Sequence, residues 1–166
     1  MATSPPRHPS STDRLSDREL LAWRGMLRAH AALTKALDAD LEAEHDLPLS
    51  SYEVLLHLAA ADGQQMRMSD LADCVVLSRS GLTRLVDRME REGLLGRASC
   101  PSDARGSYAL LTDAGRDKLA AASRTHLCGV RERFLDHLSD GEQETLGECW
   151  ERVAPPAGDG GPPCSA

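Results

Sequence analysis

The sequence predicts a mainly helical α+β protein: long helices plus a helix-turn-helix that is followed by a two-stranded hairpin. Three observations predict it. The 166 residues hold 25 Leu and six Val but no Ile, and a β-sandwich or barrel core needs β-branched residues. Ser-x-x-Glu occurs at Ser16, Ser50 and Ser139, each time before an apolar helical stripe, as a capping box does. The helical period gives way to a strand-like one over residues 94–111.

The elements follow in order. Residues 1–13 are rich in Pro, Ser and Thr, and 154–166 in Pro and Gly. Neither segment buries enough apolar surface to offset the entropy of ordering, so both are expected to be flexible tails. Ser16 and Glu19 open a first helix over about 16–46. Along it Leu20, Trp23, Leu27, His30, Thr34, Leu37 and Leu41 recur every three or four residues. Its length exceeds what a small monomeric domain needs, which makes the stripe a candidate surface for a partner helix. Pro48 interrupts it. Ser50 and Glu53 are expected to cap a second helix through about Ala61, ended by Asp62-Gly63.

Residues 65–68 are long enough only for a minor strand. Ser69 is expected to cap a short helix, SDLADCVV, and Ser78 another, SRSGLTRLVDRMEREG, closed by Gly93. The tight turn between them makes a helix-turn-helix. Two short strands, 94–99 and 107–111, flank a loop containing Pro101, Asp103 and Gly106. Thr112 then caps a helix from Asp113 to about Leu138, and Ser139 with Glu142 opens the last one, to Val153.

The helix after Ser78 carries the chemistry. Leu82, Leu85, Val86 and Met89 fall at i, i+3, i+4 and i+7 and form its buried stripe. The other side presents Arg79, Ser80, Thr83, Arg84, Arg88 and Arg91. Arginines and small hydroxyls on the second helix of a helix-turn-helix suit a DNA major groove: Arg bonds guanine bidentately, and Ser or Thr reaches bases or phosphates. The competing reading is a solvated helix face, which Asp87, Glu90 and Glu92 support. At the hairpin tip, Arg105 suits the adjacent minor groove. Asp103 is placed to orient that guanidinium through a charge-assisted pair.

The chain's formal charge is −7, which opposes phosphate. The distribution resolves part of this. Residues 66–106 hold seven Arg and six acids, a net of +1, so the remainder carries −8. Residues 36–53 alone hold six acids and no Lys or Arg. Nonspecific binding is therefore expected to be weak and salt-sensitive.

With these residues in place, the sequence resembles the MarR (multiple antibiotic resistance regulator) family of winged helix-turn-helix transcription factors. SDLADCVVLSRSGLTRLVDRMEREGLL matches the family's helix-turn-helix, and Asp103, Arg105, Leu111, Thr112 and Gly115 match its wing motif D-x-R-x-x-x-x-x-L-T-x-x-G. The resemblance covers about residues 16–153. It implies a homodimer, with 16–49 and 113–153 forming the dimerisation base and 50–112 the DNA-binding domain. It also implies a double-stranded palindromic operator as partner, Ser78, Arg79, Ser80, Thr83, Arg84, Arg88, Asp103 and Arg105 as DNA contacts, and repression relieved by a small-molecule effector. For that effector Trp23, Arg24, His30, Tyr52 and His57 are the candidates, since Trp, Tyr, His and one Arg suit an aromatic acid. The alternative is that they pack as interior or dimer-interface residues.

Other classes are excluded or set aside. No run approaches the roughly 18 apolar residues of a membrane span. Five widely spaced Cys without a CxxC point to free thiols and a cytoplasmic location. Cys100 lies between Arg97 and Arg105, so a redox-sensing regulator is one alternative; a winged helix that docks protein rather than DNA is another. No HxxxH or HExxH is present, and Asp38-x-Asp40-x-Glu42 is followed by Ala43 where a calcium loop requires Gly. No metal or other cofactor is expected. GxxxxGK[ST], GxGxxG and GxSxG are all absent, so no enzymatic activity is expected.

Overall fold

The structure, a computed structural model, describes residues 14–75, 77–100 and 103–154, with side chains over 14–75, 77–98 and 107–154. Both expected tails lie outside the described residues, apart from Ala154.

Helix α1 (Asp17–His45) starts at the expected box: the Glu19 amide donates to Ser16 Oγ, and the Ser16 amide donates to Glu19 Oε2 at 2.7 Å. It ends at Asp46 in the left-handed conformation (φ 47°). Helix α2 (Leu49–Ala60) corrects one expectation. Its cap is Pro48, and Ser50 and Glu53 lie inside the helix. The missing cap comes from α1, because Asp38 Oδ1 accepts the Leu49 amide at 2.8 Å. A carboxylate at a helix N-terminus also meets the positive end of the dipole.

After a 3-10 turn (Asp62–Gln64), strand β1 (Gln65–Arg67) runs straight into α3 (Met68–Cys74). Ser69 therefore sits within α3 rather than capping it, and its hydroxyl donates to Asp70 Oδ1. This helix stops earlier than expected because Val75 is extended (φ −103°, ψ 144°). Helix α4 (Arg79–Arg91) is capped by Ser78, whose Oγ accepts the Gly81 amide at 3.1 Å. Gly93, at φ +75°, closes it and lets the Leu94 amide reach back to the Met89 carbonyl at 2.9 Å.

Strand β2 (Leu95–Cys100) keeps the expected six residues, shifted by one, and β3 (Asp103–Leu111) starts four residues before the expected 107, so Asp103, Arg105 and Gly106 stand on a strand rather than in a loop. The sheet has three antiparallel strands in the order β1-β3-β2. Buried Ala109 pairs with Met66 on one side and Arg97 on the other. The register shifts between Ser99 and Cys100.

Helix α5 (Asp113–Arg133) begins at Thr112, whose Oγ1 accepts the Gly115 amide and donates to the Gly93 carbonyl at 2.7 Å. Contrary to the expectation of a helix to Leu138, it ends at Phe134 (φ −133°), followed by a 3-10 turn (Leu135–His137). Gln143 of α6 (Asp140–Val153) donates its Nε2 to the carbonyls of Leu135 and Leu138, so they need no helical partners. Helix α6 starts at the expected Ser139–Glu142 box.

The core lies between α2, α3, α4 and the sheet, with Leu55, Leu58, Leu71, Leu82, Met89 and Leu95 fully buried. Leu37 and Leu41 of α1 join it, with Leu119 and Ala122 of α5. Gly129 lets α5 approach Leu37 closely, and Arg133 Nη1 pairs with Asp40 Oδ2 at 2.8 Å.

Candidate nucleic-acid interface

Burial of Leu82, Leu85, Val86 and Met89 fixes how α4 is rotated. Each such side chain gains about 1.5–3 kcal/mol on leaving water, so no surface preference competes. The opposite face is thereby turned outward, and Ser78, Arg79, Ser80, Thr83 and Arg84 are all exposed. Thr83 Oγ1 donates to the Arg79 carbonyl at 2.9 Å, and Ser80 Oγ lies 3.3 Å from Ser78 Oγ.

The acids that compete with this face are occupied. Arg97 of β2 pairs with Asp87 through Nη2 and with Glu90 through Nε, the latter at 3.3 Å. Glu92 lies 3.8 Å from Arg88 Nε. Among the described residues, Arg79 and Arg84 form no ion pair, which leaves two outward guanidiniums within about 1.5 turns of each other. Arg88 is placed differently. Its Nη2 donates at 2.8 Å to the hydroxyl of Ser51 on α2, which is only 1% exposed.

Asp103 opens β3 and Arg105 lies on it, so both belong to the hairpin; their side chains, like that of Cys100, are outside the described ones. The sequence signals missed Ser51 and Arg97. Ser51 stands between Ser50 and Tyr52, and nothing in its neighbourhood along the chain marks it as the acceptor for an arginine of α4. Asp87 and Glu90 at i, i+3 were readable as one acidic face, but their partner on β2 was not.

Of the five effector candidates, Trp23, Arg24 and His30 lie on α1, and Tyr52 and His57 on α2. Trp23 is 53% exposed on α1, and Arg24 lines a shallow cleft of about 560 Å³ along the same helix with Leu20 and Leu27. His30 is exposed, and its charge acts on Glu53 of α2, whose carboxyl burial pushes above its ordinary range. Tyr52 is 3% exposed, its ring tilted against His126 of α5 with centroids 4.5 Å apart. Burial pushes the imidazoles of His57 and His126 down. His126, missed by the sequence reading, thus supplies the partner for Tyr52.

Two further features lie elsewhere. Asp40, Glu44, Arg124 and Cys128 line a polar cavity of about 570 Å³ between α1 and α5. Among the described residues, no group of three or more His, Cys, Asp or Glu is gathered as for a metal, and no helix is long and apolar enough to cross a membrane.

Comparison with known proteins gives a consistent result. A sequence profile described as MarR family matches residues 45–106. The transcriptional regulator HosA of Escherichia coli O111:H- is 33% identical over 102 residues, which is 61% of this chain and 75% of HosA. The crystal structure of AbsC, a MarR family transcriptional regulator from Streptomyces coelicolor, is similar at 35% identity and a TM-score of 0.79, over 85% of this chain and 95% of that one. That of Sco3205, a MarR family regulator from the same organism in complex with DNA, is similar at 34% identity and a TM-score of 0.80, over 92% and 91%.

Proposed function

This chain belongs to the MarR family of DNA-binding transcriptional regulators, and from that premise we propose that it works as a homodimeric repressor on a palindromic operator. The observation that carries the DNA contacts is the outward face of α4, where Arg79 and Arg84 meet no acid among the described residues and Ser80 and Thr83 lie between them. In this reading α4 enters the major groove, and the β2–β3 hairpin brings Arg105 to the flanking minor groove. Asp103 orients that arginine.

The dimer is supported by what a single chain leaves uncovered. Helix α6 buries no residue, and α1 buries none before Leu37. Leu21, Trp23 and Leu27 of α1, with Trp150 and Val153 of α6, are exposed. Two helices of this kind gain stability by packing on a second copy. A two-fold axis through that contact makes a palindrome the matching DNA symmetry.

The effector reading rests on α2, which packs on both α1 and α5 and also on α3 of the helix-turn-helix. An aromatic acid held near Tyr52 and His57 shifts DNA binding only if it prefers one arrangement of the two halves over the other. Melting of the chain in benzoate and its hydroxylated relatives tests this: a saturable rise in Tm, with weaker DNA binding, supports it. No shift with any of them removes it.

The DNA reading is tested on a palindromic duplex selected from a random-sequence pool. Arg84→Ala and Arg105→Ala each weaken binding by about 1–3 kcal/mol. Unchanged affinity in both variants contradicts the assigned contacts.

A further inference from the structure

We infer that Arg97 is a positioning residue for DNA recognition, holding the hairpin at a fixed pitch against α4 by clamping Asp87 and Glu90 together. The inference rests on the DNA-interface reading above and adds to it the part that sets the hairpin's angle.

The geometry carries it. Asp87 and Glu90 are three residues apart on α4 and so share one face. Arg97 projects from β2 and meets both, Nη2 on Asp87 Oδ1 and Nε on Glu90 Oε2. A planar guanidinium that bridges two carboxylates restrains rotation as well as distance. Arg97 pairs with Ala109 in the sheet, and the register shift follows two residues later, after Ser99. Beyond that point β2 continues to Cys100 and β3 begins at Asp103.

Magnitudes separate orientation from stability. Arg97, Asp87 and Glu90 are all partly exposed, and pairs of that kind contribute little to folding. Their leverage is larger. Cys100, the end of β2, lies about 10 Å beyond Arg97 at some 3.3 Å per residue, so a swing of about 10° moves it by about 2 Å. That displacement is most of a hydrogen-bond length, enough to lose a contact made by Arg105. The clamp also neutralises two acids that border the DNA-facing side of α4.

The test is hydroxyl-radical footprinting and titration of the full chain on a selected palindromic duplex, with the double variant Asp87→Asn/Arg97→Gln. This pair of changes breaks the clamp and leaves the net charge as it was. The expected result is a Tm close to that of the parent, affinity lower by about tenfold, protection lost in the outer minor grooves, and protection kept in the major grooves. Unchanged affinity with full outer protection overturns the inference. So does a uniform loss across the whole footprint, which indicates a general fold or charge effect. If that variant does not fold, Glu90→Gln/Arg97→Gln, which also leaves the net charge as it was, opens the clamp and is judged by the same pattern. Absence of any footprint with the parent chain is a different outcome: it removes the DNA-interface reading itself.

Discussion

Arg88 Nη2 donates to the hydroxyl of Ser51 across 2.8 Å, tying α4 to α2 through a side chain that is itself buried. Arg79 and Arg84 of the same helix are exposed instead. Without Arg88 the buried Ser51 hydroxyl is left without its donor, which costs the desolvation of that group. Arg88→Ala is therefore expected to lower the unfolding free energy by about 1–3 kcal/mol. Arg84→Ala, on the exposed face, changes it by less than about 0.5 kcal/mol. Urea unfolding of the two variants checks the contrast, and equal stabilities contradict it.

Gly115 marks the closest approach between α5 and the start of the hairpin. A Cβ there falls 2.1 Å from the Leu94 carbonyl oxygen and 2.8 Å from Leu111 Cδ1. The obstacle at 2.1 Å is backbone, so no rotamer relieves it. Gly115→Ala is expected to cost about 3 kcal/mol or more, at the upper end of overpacking effects. Gly147 of α6 meets nothing within 4 Å, and Gly147→Ala is expected to be neutral or slightly stabilising through helix propensity. Thermal melts of the pair settle it. A Gly115→Ala protein as stable as the parent contradicts the packing described.

The uncovered apolar residues of α6 make a prediction about assembly. Trp150 is 43% exposed in the single chain. As a buried aromatic at a dimer contact, its replacement by Asp weakens association by about 2 kcal/mol or more. Sedimentation velocity over a concentration series detects the shift toward monomer. Operator affinity falls with it, since one half-site then binds alone. A Trp150→Asp protein that sediments as the parent does contradicts this placement of the interface.

Three half-buried groups give a pH dependence. Burial holds His57 and His126 below the ordinary histidine value of 6.5. As pH falls through that value, the unfolded chain binds protons that the folded chain resists, so stability is lost progressively. Glu53 works in the opposite sense. Burial raises its carboxyl above 4.5 and the charge of His30 lowers it, the first effect being larger. Its contribution is complete below 4.5 and is lost as pH rises through the raised value. Two histidines outweigh one carboxyl near neutrality, so Tm is expected to drop between about pH 7.5 and about pH 5.5. His57→Gln/His126→Gln flattens that drop. A variant with the parent's full pH dependence contradicts the assignment.

Much of this was legible in the sequence, and the reason is local. Ser16 with Glu19, Ser78 with Gly81, Thr112 with Gly115, and Ser139 with Glu142 satisfy helix ends from within four residues. Local chemistry of that kind is readable along the chain. Ser50 and Ser69 were misread for the complementary reason. The α2 terminus is satisfied by Asp38, eleven residues before Leu49, and α3 follows directly on a strand. The outward face of α4 was readable because its stripe of Leu and Met forces it. The effector candidates were not separable, since Trp23 and His30 share one helical stripe yet meet different surroundings. Tyr52 finds its partner in His126, 74 residues away in sequence, a pairing that no periodicity announces.

The most direct measurement is the stoichiometry and salt dependence of the full chain on a selected palindromic duplex, by sedimentation equilibrium. Two chains per duplex are predicted, with affinity falling steeply as salt rises. A folded chain that stays monomeric at micromolar concentration and leaves the duplex unbound at low ionic strength would contradict the account.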